Sequence, residues 1–230
     1  MPAARQVLLI DADDTLWETN LRFERTLEAF CEIVSELGHK PAEVRACVDR
    51  AERLRIRQSG YGEAKFLATL EEVYAELAGA KPEPRRVKEV RDLARHLVAA
   101  PLRVFEGVRE TLAYLAARHR LLLFTKGGPR EQRRKVAGTG LGKFFAAREV
   151  VPEKNRAAYR AVLARHRLRP ATVWMVGDSP RSDINPALAI GLNAVFIPTP
   201  HNWEYENEEI RRGRGRLLVL KRFRDLRDHF

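Results

Sequence analysis

Cysteine is nearly absent from this 230-residue chain, with only Cys31 and Cys47. Both fall in stretches patterned as helices and do not make a metal-binding spacing, so they read as buried free thiols of a reducing cytosol. Long apolar runs are missing too. None approaches the ~20 residues that a membrane-spanning helix needs, so no membrane partner is expected. The first residues lead into a strand and then an acid, without the apolar stretch and small-residue cleavage site of a secretory signal; the expected location is cytoplasmic. Internal repeats and low-complexity linkers are also lacking.

What is there suits a globular protein: 45% hydrophobic and 32% charged residues, in a chain long enough to bury a proper core in one domain or two small ones. The formal charge is +11, and of the 42 basic residues only nine are lysine. A basic balance can announce a nucleic-acid partner. Here the arginines are scattered along nearly every helix, and the densest run, 211–216, is short. A solvated, arginine-biased surface is therefore expected rather than a nucleic-acid interface. Such a surface still attracts phosphorylated substrates modestly, in a salt-dependent way.

Apolar periodicity divides the chain. Between 17 and 100 there is no convincing strand, and helices are expected at 21–37, 41–58, 63–77 and 84–98. Pro41 suits a first helical turn. Phe66, Leu67, Leu70, Val73, Tyr74 and Leu77 recur at helical spacing, which predicts a small helical bundle. From 102 onward strands and helices alternate. Strands are expected at 120–125, 172–177 and 194–197, with weaker ones at 149–151 and 217–220; helices are expected at 108–118, 129–138, 155–167 and 186–190. Alternation of this kind predicts a doubly wound α/β parallel sheet with helices on both faces. His201, Asn202 and Trp203 read as loop packing.

The most informative stretch is Leu8-Leu9-Ile10-Asp11-Ala12-Asp13-Asp14-Thr15-Leu16, an apolar strand running into two acids spaced i, i+2. Side chains two apart in an extended segment point the same way, so Asp11 and Asp13 face one site past the strand end. That carboxyl edge is where open α/β sheets bind ligands. Two further strands end in chemistry. Residues 121–128 close on Thr125, Lys126 and two glycines, and residues 173–178 close on Gly177 and Asp178, with Asp183 five positions later. Lys154 lies between them, just before a helical stretch.

In this order the four segments resemble the haloacid dehalogenase superfamily, and its phosphatase branch in particular. Asp11, Asp13 and Thr15 match the first motif, Thr125 the second, Lys154 the third, and Gly177, Asp178 and Asp183 the fourth. The resemblance implies a Rossmann-like core formed by residues 1–16 and 101–230, with residues 17–100 as a helical cap. Three positions depart from the commonest pattern: Asn155 replaces a frequent Pro, Asp14 a frequent Gly in a tight turn, and Lys126 a frequent Asn. None removes a group the chemistry needs.

The resemblance further implies a Mg²⁺-dependent phosphatase acting on a small phosphorylated metabolite. Asp11 would be the nucleophile, forming an aspartyl-phosphate, and Asp13 the general acid and base. Asp11, Asp178 and the main chain of Asp13 would bind the metal, with Asp183 supporting them by holding a metal-bound water or Lys154. Thr125, Lys154 and, less directly, Lys126 would bind the phosphoryl group. Tyr61, between Gly60 and Gly62 on the connection joining the second and third cap helices, would contact the leaving group. A phosphosugar mutase or another phosphotransferase keeps both acids and remains an alternative. A dehalogenase pattern lacks the second acid, which Asp13 supplies. A nucleic-acid-binding or end-processing protein would rest on the net charge alone. Oligomeric state and the identity of the substrate are left open.

Overall fold

The computed structural model of the protein describes residues 5–79, 82–201 and 203–230. Asn202 lies outside them. The chain divides into two compact units: one made of the chain up to Asn20 together with Leu102–Phe230, the other of Leu21–Pro101.

Strand β1 (Val7–Ile10) is buried on both faces. Leu8 and Ile10 join one core with Leu112, Leu115, Leu123 and Val176, whereas Leu9 joins another with Leu122, Phe124, Tyr159 and Met175. Burial on both faces is why the strand reads as a continuous apolar run. Helices α1 (Asn20–Ser35), α2 (Pro41–Ser59), α3 (Glu63–Ala78) and α4 (Pro84–Ala99) follow. The helical unit packs its own core of Phe30, Val34, Val44, Val48, Phe66, Leu70, Val73 and Tyr74. Helix α1 stops two residues before the expected end, where the Leu37 and Gly38 N–H groups fold back onto Val34 and Ser35 carbonyls.

The alternating part contains α5 (Val108–Ala116), β2 (Arg120–Lys126), α6 (Pro129–Thr139), β3 (Ala147–Val151), α7 (Arg156–Arg165) and β4 (Val173–Gly177). A wide helical turn, Pro180–Ile184, then leads into α8 (Asn185–Ala189), followed by β5 (Asn193–Phe196) and β6 (Leu217–Val219). All six strands are parallel, in the order β3-β2-β1-β4-β5-β6. The expected doubly wound α/β sheet is thus present. Strand β3 begins earlier than its weak pattern suggested, because Ala147 and Arg148 pair with Leu122 and Leu123. Strand β6 is a short edge strand with Leu217 and Val219 exposed, which explains its faint signal.

Strand order reverses between β1 and β4, and that switch point opens a crevice at the carboxyl ends of both strands. Ile10 pairs with Leu123 on one side and Val176 on the other, so the residues just past these rungs share one edge. Among the described residues, no helix is long and apolar enough to cross a membrane.

Candidate active site

Beyond β1 the ladder continues for one more bond, from the Asp11 N–H to the Val176 carbonyl at 2.9 Å. This carries Asp11 to the mouth of the switch point, beside Asp178 at the end of β4. A tight turn follows, closed by Leu16 N–H to the Ala12 carbonyl (2.9 Å) and Asp14 N–H to the Trp17 carbonyl (2.8 Å). Asp14 occupies the left-handed region at φ +58°, where a side chain costs strain. Its carboxylate offsets that cost by accepting the Thr19 and Asn20 N–H groups, both at 3.0 Å, at the start of α1. The departure from Gly therefore gives the first helix an anchor.

The structure brings Asp11, Asp178 and Asp183 together, with one carboxylate oxygen from each within 4.8 Å of the others. All three are buried. Lys154 Nζ, itself buried, bonds Asp11 Oδ1 and reaches Asp183 Oδ1 at 2.6 Å. Thr15 Oγ1 donates to Asp178 Oδ1 at 3.0 Å. Asp183 gets its place from the wide turn after β4, where its Oδ2 accepts the Ser179 N–H at 3.1 Å. The carboxyl packs so closely on Gly177 that a Cβ there would lie 2.2 Å from Asp183 Oδ2.

Three carboxylates and one ammonium leave a negative excess in a buried site. Burial pushes Asp11 up to about 7; Lys154 pulls against this and Asp183 adds to it. Asp178 is driven well above the usual carboxylate range by burial, then by Asp11 and Asp183. For Lys154, burial is outweighed by Asp11 and Asp183, which hold its ammonium charged beyond the ordinary lysine range. Hard oxygen donors with uncompensated charge fit a divalent cation, and Asp11, Asp178 and Asp183 are the residues that could hold one.

Asp13 stands apart from this group. Its Oδ1 accepts Trp17 Nε1 (2.8 Å), Thr19 Oγ1 (2.7 Å) and Lys135 Nζ (3.0 Å). Its Oδ2 accepts Gln132 Nε2 (2.7 Å) and Lys135 again (3.3 Å). Burial would raise this carboxyl, but Lys135 and the hydrogen bonds from Gln132, Thr19 and Trp17 outweigh it and hold Asp13 down at about 2.

Thr125 is buried near the end of β2, two residues past the Ile10–Leu123 rung. Lys126 does not run to open solvent: its Nζ donates to Ser182 Oγ at 2.9 Å and pairs with Glu206. Buried Glu206 also accepts Ser179 Oγ (2.6 Å) and Ser182 Oγ (2.5 Å), and so fastens the turn that carries Asp183 to the end of β2. Tyr61 belongs to the helical unit, on the connection between α2 and α3.

A family model of haloacid dehalogenase-like hydrolases matches residues 6–191. The chain belongs to that family. Similar proteins include a phosphoserine phosphatase of Thermus thermophilus, 29% identical over 229 residues, covering 84% of this chain and 88% of the relative. A haloacid dehalogenase-like family hydrolase of Xanthomonas campestris is similar in structure, with a TM-score of 0.83 at 29% identity over 98% of this chain and 94% of the other. An L-2-haloacid dehalogenase of Xanthobacter autotrophicus shares the fold, with a TM-score of 0.66 at 15% identity and 97% of each chain covered.

Sequence patterning passed over Lys135, Gln132, Trp17 as a polar partner, and Glu206. One signal was available on α6 of this hydrolase. Gln132, Lys135, Val136 and Thr139, spaced i, i+3, i+4, i+7, form the buried face of an otherwise basic helix. A lysine and a glutamine on an inward face need partners. Glu206 carried no such signal, being one of four acids between 204 and 209.

Proposed function

We propose that this hydrolase is a Mg²⁺-dependent phosphatase of a small phosphorylated metabolite, working through an aspartyl-phosphate on Asp11. One observation carries the reading: the acids form two sets, each with its own lysine. Asp11 and Asp183 share Lys154, with Asp178 grouped beside them, whereas Asp13 is held separately by Lys135. Displacing a halide needs one ionised nucleophile and neither a metal cluster nor a second acid. Phosphate monoester hydrolysis uses both. The similarity to a phosphoserine phosphatase supports the same reading and puts phosphorylated amino acids first among substrates to screen.

A bound Mg²⁺ would supply the positive charge that lets a phosphate dianion approach a carboxylate. Asp11 would attack phosphorus, and the bond to the ester oxygen would break. Lys154 would compensate charge on the nucleophile and the phosphoryl oxygens, and the Thr125 hydroxyl would orient those oxygens. Asp13 would give its proton to the leaving oxygen, then take one from the water that attacks phosphorus and frees Asp11. Both halves of that role need one of the five donors to give way to the reacting group, because together they occupy the lone pairs on which a proton would sit. The helical unit, Leu21–Pro101, would serve as the cap that selects the leaving group, with Tyr61 among its contacts.

Two nearly isosteric substitutions test the mechanism. Asp11→Asn should abolish phosphoenzyme and reduce turnover to background. Asp13→Asn should slow both steps, by roughly 10²–10⁴ in rate. With a good leaving group, which needs little protonation, its phosphoenzyme should form and persist in single-turnover trapping. Phosphate trapped on a residue other than Asp11 would overturn the assignment. Comparing water with a sugar phosphate as acceptor separates hydrolysis from phosphoryl transfer to the mutase alternative.

A further inference from the structure

We infer that Lys135, assisted by Gln132, is the positioning residue for Asp13, fixing the carboxylate in the orientation from which it exchanges protons with the reacting oxygens. The inference rests on the acid-base role proposed for Asp13.

Geometry sets the constraint. A carboxylate held through one oxygen can still rotate about its terminal torsion, but Asp13 is gripped through both. Trp17 and Thr19 hold Oδ1 from its own loop. Gln132 holds Oδ2, and Lys135 bridges the two oxygens at 3.0 and 3.3 Å. Both side chains come from one face of α6, the helix that follows β2 and Thr125. Gln132 Nε2 also donates to the Lys126 carbonyl at 3.2 Å, which ties the end of β2 to Asp13.

Stability alone gives no reason for this arrangement. Lys135 is 2% exposed, and removing an ammonium from water costs several kcal/mol. Its pairs with Asp13 and with Glu131 (3.0 Å) offset that cost. Even so, apolar side chains often replace a buried ion pair with no loss of stability. Gln132 has a further cost, since its Oε1 is buried with no hydrogen-bond partner. Turning the amide over would set that oxygen against Asp13 Oδ2 and the Lys126 carbonyl, two acceptors that now receive Nε2. The helix accepts an unsatisfied carbonyl and a buried cation, and both serve the placement of Asp13, whose side chain keeps a quarter of its surface open.

A double-mutant cycle tests the inference on the full chain, with an aryl phosphate and Mg²⁺. Lys135→Met should reduce kcat by ~10–100-fold, part of the 10²–10⁴ that a positioned proton-transfer group contributes, and leave KM within about twofold. In the Asp13→Asn background the same change should cost less than about threefold, because the residue through which it acts is gone. Equal losses in both backgrounds would overturn the inference and make Lys135 a purely structural residue. Full turnover by Asp13→Asn alone would instead remove the underlying reading and the inference with it. If Lys135→Met does not fold, the same cycle with Gln132→Met decides: coupling to Asp13 supports the inference, and additivity overturns it.

Discussion

Gly177 shows how a single missing methyl places an acid. It has no need of a positive φ; its role is to give up space, because a Cβ would meet Asp183 Oδ2 at 2.2 Å and Cγ at 2.4 Å. No rotamer of a flexible chain end can relieve contacts with a carboxyl that is itself held by Lys154 and the Ser179 N–H. Gly177→Ala should therefore push Asp183 out of the acid group while the core of β4 stays intact. Expected outcomes are a metal requirement raised at least tenfold and a circular dichroism spectrum like that of the parent. A metal titration unchanged by the substitution would mean that Asp183 is not needed at the cation. Asp14 makes the complementary point. A side chain in the left-handed region is kept because its carboxylate caps two N–H groups that a glycine would leave open.

Elements were legible to the degree that their burial is one-sided or complete. Strands β1, β2 and β4 lie inside the sheet and read as apolar runs, each closing on a polar residue at the edge where the site forms. Four-residue spacing exposed the helices of the other unit. Edges read less well. Arg148 and Glu149 mask the alternation of β3, and the wide turn Pro180–Ile184 leaves no periodicity to detect. In the site, acids that end strands stand out, whereas Lys135 is marked only by its place on the inward face of α6, and Glu206 looks like any surface charge until Lys126 pairs with it from 80 residues away in sequence. Glu52, in α2, carries an element-scale consequence. Burial, then Asp49, with Arg53 opposing, raises its carboxyl from 4.5 to about 7. Below pH 4.5 the folded and unfolded chains both hold this proton. Between 4.5 and 7 only the folded chain does, so stability falls as pH rises through that window, and above 7 the full cost of this half-buried charge is present. At about 1.4 kcal/mol per pH unit, Glu52→Gln should add about 2–3 kcal/mol of stability at pH 8 and almost none at pH 4. Urea unfolding at the two pH values measures it. An equal gain at both would trace the effect to packing.

Across the whole molecule, a body of net charge +11 surrounds a pocket with an excess of acid. The exterior attracts phosphate at long range, and the buried acids repel it at short range until a cation arrives. Those acids are a burden on the metal-free fold: Asp178 is pushed far up by burial, then by Asp11 and Asp183, and all three make its ionisation costly. Metal binding and stability are therefore coupled through one residue. At a Mg²⁺ concentration of 100 Kd, binding to the native state alone adds about 2.7 kcal/mol, a rise of about 5–10 °C in Tm for a chain of this size. A chelator should reverse the rise. Asp178→Asn should separate the two effects. Without one acid, the metal-free protein should melt at a higher temperature than the parent does without metal, while Mg²⁺ should no longer raise Tm and turnover should be lost. Differential scanning calorimetry with Mg²⁺ and with chelator resolves both halves. If Asp178→Asn kept the full Mg²⁺-dependent rise, the cation would be bound elsewhere and the acid excess at the switch point would need another explanation. A lower melting temperature for the metal-free variant would show instead that the charge assistance of the Thr15–Asp178 hydrogen bond, which an amide oxygen lacks, stabilises the fold more than the crowded charge destabilises it.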